Sequence, residues 1–310
     1  MTPISKDLVS YLTTESDDAG QRIDNYLFRK LKGVPKSHIY RIIRSGEIRI
    51  NKKRAKTTDK LQSGDIIRIP PIRLAEPVHK SDTPARTFPI IYEDEYLLVI
   101  DKPAGVAVHG GSGISFGVIE QIRQAYPQTK YLELVHRLDK ETSGLLMIAK
   151  KRSALVKLHE YLRQHTPQKT YYALAIGHWD ETVKQLKLPL FKFQNAQGEK
   201  FVRVDAEKGQ YAHTSFEPVE YYDGFTLMRV TLKTGRTHQI RVHMQSQGHP
   251  IAGDEKYGDF ELNKQLAKQG LKRMFLHAAG LILPHPITDE KLSFEAPLPK
   301  ELINYLNKLQ

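Results

Sequence analysis

Three short stretches hold the residues that could do chemistry. Asp139 lies inside LVHRLDKETSGLLMIAK, Leu134 to Lys150, where apolar ends flank a charged middle. That pattern offers a carboxylate in a turn between two predicted strands. Taken alone, an aspartate in a turn caps locally or forms a surface ion pair. A second stretch, LKTGRTHQIRVHMQSQGHPIAGDEKYG, packs Arg236, His238, Gln239 and Arg241 into six residues. We read it as the end of a strand, on which Gln239 and Arg241 share a face. If that strand runs beside Asp139, one arginine can pair with the carboxylate, orient it and favour its charged form. A third stretch, QKTYYALAIG, places Tyr171 and Tyr172 on opposite faces of a strand, so one of them can be a platform on which a base stacks.

Other chemistries find less support. The stretch HGGSGISFG from His109 opens onto a helix but lacks the Lys-Ser/Thr of a nucleotide P-loop. We read it as a turn. There are 13 histidines but no H-E-x-x-H, and no cysteine for a mixed thiolate site, so no metal is expected. His238 and His243, read as strand residues, would face opposite sides. Glu133, Asp139 and Glu141 leave a glycoside or nucleoside hydrolase open. Lack of cysteine also removes disulfides and thiol catalysis and fits a reducing compartment. The first twenty residues lack a basic start followed by an apolar run, and no apolar run is long enough to span a membrane, so a cytoplasmic protein is expected.

Charge is concentrated. Of the net +12, residues 22–73 carry +11, from 15 Lys and Arg against 4 Asp and Glu. So basic a block points to a polyanion, most often nucleic acid. Within it, RIDNYLFRKLKG and KSHIYRIIRSG read as two amphipathic helices with apolar stripes at Ile23, Tyr26, Leu27, Leu31 and at Ile39, Ile42, Ile43. On the second helix Lys36, Tyr40 and Arg44 align at spacing four with Arg41 beside them, a cationic ridge suited to phosphates. Short strands follow around Ile48 and Ile50, a turn at Asn51 to Lys53, and DIIRIP. Pro70 to Pro89 contains five prolines and little periodicity, as an extended linker would. Beyond it, helices alternate with many strands. The expected class is α+β: residues 1–20 as an N-terminal segment, 21–82 as a small basic module and linker, and 83–310 as a larger domain with a mixed, mainly antiparallel sheet.

The basic window resembles an S4 domain, an RNA-binding module, through its two-helix pattern, SGEIRINKKR and GDIIRIP. That resemblance implies an RNA grip by Lys36, Arg41, Arg44, Lys52, Lys53 and Arg54. HRLDKETSGLLMIAK, KTYYALAIG and LKTGRTHQIRVH together resemble the RluA family of pseudouridine synthases. KGVPKSHIYRIIRSGEIRINKKR, IRIPPIRLAEP and HGGSGISFGVIEQIR extend the likeness over about Gly20 to Leu298, toward the members that carry an S4 domain and act on large-subunit ribosomal RNA.

The resemblance implies an isomerase that converts uridine to pseudouridine without a cofactor. It assigns the catalytic carboxylate to Asp139, its partner to Arg241, and the base-stacking tyrosine to Tyr171. Arg137 would fill the space left by a flipped-out base, and His136, Arg236, Thr237, His238 and Gln239 would line the RNA path. The implied partner is 23S ribosomal RNA or a large-subunit assembly intermediate; the oligomeric state is left open, with a monomer the simplest expectation. Against this stand a non-catalytic ribosome-assembly factor built on the same basic module, and the hydrolase.

Overall fold

The computed structural model describes residues 4–15, 18–74, 83–111 and 115–310. Residues 75–82 of the expected linker and residues 112–114 of the Gly-rich stretch lie outside the described residues. The chain divides into two compact units, residues 1–83 and 84–310.

The first unit is built on β1 (Ser10–Thr13), α1 (Ile23–Lys30), α2 (Lys36–Arg44), β2 (Arg49–Ile50), β3 (Lys53–Arg54) and β4 (Ile66–Ile69). The strand order is β1-β4-β2-β3. Residues 10–13 of the expected N-terminal segment belong to this unit, because β1 pairs antiparallel with β4 from Ser10↔Ile69 to Thr13↔Ile66. The reason is an edge: without β1, one side of β4 would be left unpaired. Ile23, Tyr26, Leu27, Ile39, Ile42 and Ile43 are buried, which is the stripe the helical period predicts. The β2–β3 turn runs through Asn51 and Lys52, both left-handed at φ 48° and 69°, as a two-residue hairpin demands.

The second unit begins with β5 (Ile90–Glu93), β6 (Leu97–Lys102), α3 (Val118–Ala125), β7 (Glu133–Leu134), β8 (Ser143–Ala149), α4 (Arg152–Arg163) and β9 (Gln168–Ile176). It continues with β10 (Gln185–Leu186), β11 (Leu190–Gln194), β12 (Lys200–Val204), β13 (Thr214–Tyr222), β14 (Phe225–Leu232) and α5 (Gln239–Ser246). It ends with α6 (Phe260–Gln269), β15 (Leu276–Pro284), β16 (Lys291–Glu295) and α7 (Lys300–Leu306). The main sheet runs β10-β13-β14-β9-β15-β8-β6-β5, with β16 on β15 and β7 on β8; β11 and β12 form their own hairpin. Every pair in the main sheet is antiparallel except β15 with β8.

At that parallel junction the strands meet closely. A Cβ on Gly144 would stand 2.2 Å from the Ala278 carbonyl oxygen, and its φ of +106° is open mainly to glycine. Leu98, Ile100, Leu146, Ile148, Leu174 and Val230 belong to the core under α3 and α5–α7, while Leu97, Val99, Leu145 and Met147 pack the other face with α4. Sheet residues buried on both faces read as continuous apolar runs rather than alternation. Among the described residues no helix is long and apolar enough to cross a membrane.

One element differs from expectation. Gln239–Ser246 is a helix, not a strand. Residues 239–244 are all buried, so no polar face marks a helical period, and Ile240 and Val242 imitate strand alternation. Gln239 and Arg241 therefore do not share a face, and the opposite-face argument for His238 and His243 lapses.

Candidate functional site

The loop between β7 and β8 carries Asp139, and several contacts hold it. His136 turns inward, where Nε2 accepts the Met147 N–H at 3.1 Å. Leu138 is buried, Arg137 is exposed, and Thr142 N–H donates to the Asp139 carbonyl at 3.2 Å. Two cations, Lys102 fully buried and Arg273 partly buried, hold the next carbonyls. Lys102 Nζ donates to the carbonyls of Pro103, Val106 and Lys140 at 2.8, 2.9 and 3.1 Å. Arg273 Nη2 donates to Ser143 Oγ at 2.7 Å and to the Glu141 carbonyl at 3.3 Å. Burial pulls Lys102 down to about 7, while three carbonyl acceptors, one for each ammonium proton, favour the charged form.

The second loop, after β14, supplies the partner. Gln239 ties this turn together: its Oε1 accepts from Thr234 Oγ1 (2.7 Å) and the Arg236 N–H (2.9 Å), while Nε2 donates to the His213 carbonyl (3.0 Å) and Thr214 Oγ1 (2.9 Å). All four capacities of its amide are thus used inside the fold. Gln239, expected on the RNA path, lines the cavity and with these bonds also fastens the loop. His238 adopts the left-handed conformation, φ 53°, at the start of α5. Such a conformation costs about 1–2 kcal/mol in a non-glycine residue and concentrates at functional sites.

Arg241 projects from the first turn of α5 toward Asp139, where Nη1 donates to Oδ2 at 3.1 Å. Its Nε and Nη2 donate to the two oxygens of Asp254, each at 2.8 Å. Burial pushes Arg241 down, but the bonds to Asp254 and the Asp139 charge more than offset this and keep it firmly protonated. Burial alone would raise Asp254; Arg241 and the Lys256 and Tyr257 N–H groups hold it below the usual carboxylate range. His238 Nε2 lies 3.8 Å from Asp139 Oδ1, and its Nδ1 bonds the Tyr257 hydroxyl at 2.7 Å. Burial lowers His238 to about 4 despite the Asp139 charge, so the ring is neutral at pH 7.

Arg241, Asp139 and His238 share the wall of one cavity of about 560 Å³. Asp139, Arg137, Tyr171, Arg236, Thr237 and His238 all line it. The Asp139 side chain is 18% exposed, so it is reachable but largely enclosed. Burial, then the Asp139 charge, raise Tyr171 well above its ordinary value, which keeps the phenol protonated. His136 is pushed down to about 4 by burial and is neutral, with one nitrogen committed to the backbone. Among the described residues no group of three or more His, Cys, Asp or Glu converges on a point where a metal ion could sit.

In the small unit, Lys36, Arg41, Arg44, Lys52, Lys53 and Arg54 are exposed. Arg54 is partly committed: Nη2 donates to the Arg44 and Ser45 carbonyls at 3.2 and 3.0 Å, capping α2. A Cβ on Gly46 would collide with it at 2.1 Å from Nε.

Sequence reasoning did not single out Asp254, Tyr257, Lys102 or Lys169. Asp254 and Tyr257 stand in the quoted GDEKYG, but nothing local says that this segment folds back under Arg241. Lys169 precedes Tyr171 by two residues, so strand alternation alone puts both on one face.

A carboxylate enclosed with an arginine, an aromatic ring and a basic rim suits work on a nucleotide, and comparison with known proteins agrees. Residues 96–246 match the family model for RNA pseudouridylate synthase, and residues 21–67 match the S4 domain. The chain belongs to the RNA pseudouridylate synthase family and is an isomerase with an S4 domain. It is 52% identical to "Ribosomal large subunit pseudouridine synthase C" of Pasteurella multocida (strain Pm70) over 97% of this chain and 94% of that protein. It is also 52% identical to the protein so named of Escherichia coli (strain K12), over 97% of each. The human protein RNA Pseudouridylate Synthase Domain Containing 4 superposes with a TM-score of 0.58 at 26% identity, over 71% of this chain and 92% of that one.

Proposed function

We propose that this protein converts uridines of large-subunit (23S) ribosomal RNA to pseudouridine, with Asp139 as the catalytic carboxylate and the target base flipped into the cavity. The observation that carries the reading is Asp139 itself, held by Arg241 on the wall of a cavity that Tyr171 also lines. The names of relatives half identical over nearly the whole chain point to the same substrate.

The reaction breaks the N1–C1′ bond, turns the base and joins C5 to C1′. N1 gains a proton and C5 loses one, so atoms balance and nothing is oxidised. Positive character grows on the sugar as the glycosidic bond breaks, and an oriented anion beside it lowers that barrier. A uridine in folded RNA must leave its stack to reach an enclosed acid. Exposed Arg137 fills the vacated space, because its planar guanidinium stacks and hydrogen-bonds at once. Tyr171 stacks on the extruded base, and its raised pKa makes it a donor rather than a base. Arg236, Thr237 and His238 border the path, and the exposed cations of α2 and the β2–β3 turn take RNA phosphates. The protein acts in the cytoplasm as a monomer.

The test is nucleoside analysis and pseudouridine mapping of 23S RNA incubated with the parent chain and with Asp139→Asn. New pseudouridine with the parent, and a loss of at least about a thousandfold with the variant while RNA binding persists, is the expected result. Variant turnover within tenfold of the parent would remove Asp139 from the chemistry. Release of free uracil would mean a hydrolase.

A further inference from the structure

We propose that Lys169 is the phosphate-binding residue of the cavity: beside the turn at Gly235 and Arg236, its ammonium takes a phosphodiester adjoining the flipped-out uridine. The proposal rests on the reading above, since it needs RNA in the cavity.

Strand β9 carries Lys169 and Tyr171 two residues apart, and both line the cavity. Same-face neighbours on a strand stand about 6.7 Å apart, so a base on Tyr171 brings its own backbone toward Lys169. The ammonium is located by its neighbour: a Cβ added to Gly235 would meet Lys169 Nζ at 3.4 Å. It therefore rests against the turn whose next residue, Arg236, is also on the cavity wall.

Charge supports the same assignment. Arg137, Arg163, Lys169, Arg236 and Arg241 line the cavity against one carboxylate, Asp139, which Arg241 already engages. Among the described residues no carboxylate pairs with Lys169. Burial lowers its pKa, and no protein charge offsets that cost. A cation retained in such a place without an internal partner matches an anion supplied from outside. A backbone phosphate is that anion, and a compact ammonium suits one non-bridging oxygen. If the stem alone mattered for packing, methionine would serve as well.

The experiment uses the full chain and short 23S RNA fragments, each around a uridine that the parent converts. Lys169→Met and Lys169→Arg are compared with the parent on the native RNA and on RNA with a neutral methylphosphonate linkage 5′ or 3′ of that uridine. Lys169→Met should lower kcat/KM about 10- to 100-fold. It should leave kcat within about threefold and flatten the salt dependence of binding by about one unit of slope. Lys169→Arg should recover most of the loss. One of the two neutral linkages should cost the parent a similar factor yet leave Lys169→Met unaffected, and which one identifies the phosphate. An unchanged kcat/KM for Lys169→Met, or neutral linkages that cost parent and variant equally, would overturn the proposal. If Lys169→Met melts early, Lys169→Arg and the parent on the modified RNAs decide. If the parent converts no uridine in any fragment, the function proposed for the site fails instead.

Discussion

Asp254 grips Arg241 with both carboxylate oxygens, at 2.8 Å each, whereas Asp139 holds the same guanidinium by one bond of 3.1 Å. The fully buried acid therefore sets the direction of Arg241, and Arg241 in turn orients the cavity acid. Replacing Asp254 by Ala leaves a buried guanidinium with half its partners. We expect a loss of about 3–5 kcal/mol in stability by urea unfolding. Turnover of folded protein should fall by about 100-fold or more, because a catalytic group displaced by an ångström loses that much. A variant with parental turnover would show that Asp139 needs no such orientation.

Tyr171 can act through its ring or through its hydroxyl, and two substitutions separate these. Tyr171→Phe keeps the ring and should leave RNA affinity near the parent's while turnover drops. Tyr171→Leu removes the platform as well, and stacking is worth about 1–3 kcal/mol per base. Binding of the target fragment should weaken about tenfold or more beyond the Phe variant, read by equilibrium titration. Equal affinities for Phe and Leu would place no base on this ring.

The exposed cations of the small unit should bind phosphates without reading sequence. Changing Arg41, Arg44, Lys52 and Lys53 together to Gln should weaken binding to all large-subunit fragments alike. The slope of log K against log salt should fall by about one for each phosphate that is no longer neutralised. An unchanged slope would rule these four out of the RNA grip. Arg54 is left out because it caps α2, so its replacement would confound stability with binding.

Stability should depend on pH through buried histidines. Burial holds His136, His238 and His277 near 4, below the ordinary histidine value of about 6.5. Between those values the unfolded chain binds protons that the folded chain refuses, so stability rises with pH across the window and levels off above it. Each histidine can add a slope of up to about 1.4 kcal/mol per pH unit there. His277 has a specific reason to stay neutral: Nδ1 shares a 2.8 Å hydrogen bond with Ser143 Oγ, which already accepts from Arg273, and Nε2 donates to the Ala296 carbonyl at 3.1 Å. Urea unfolding at pH 7, 5.5 and 4.5 checks this, and a flat profile would contradict it.

Much of the architecture was legible because it is local. Helical stripes at Ile23, Tyr26, Leu27 and at Ile39, Ile42, Ile43, and the apolar runs of β6 and β8, follow from periodicity and burial that neighbouring residues share. Asp139, Arg137, Tyr171 and Arg241 were legible as residue types in recurring contexts. The α5 helix was not, because its first six residues are all buried and leave no polar face to betray the period. β1 was not, because its partner β4 lies more than fifty residues away in sequence.

By itself the sequence determined which chemical groups exist, in what local order, and that a basic module precedes a sheet-rich domain. Only the tertiary structure decided which groups meet. Arg241 reaches Asp139 across 102 positions of chain because the fold brings the first turn of α5 to the β7–β8 loop, with Asp254 holding the same guanidinium. Such meetings depend on how distant segments close together, and closure is settled by the summed packing of the core rather than by any residue's neighbours in the chain.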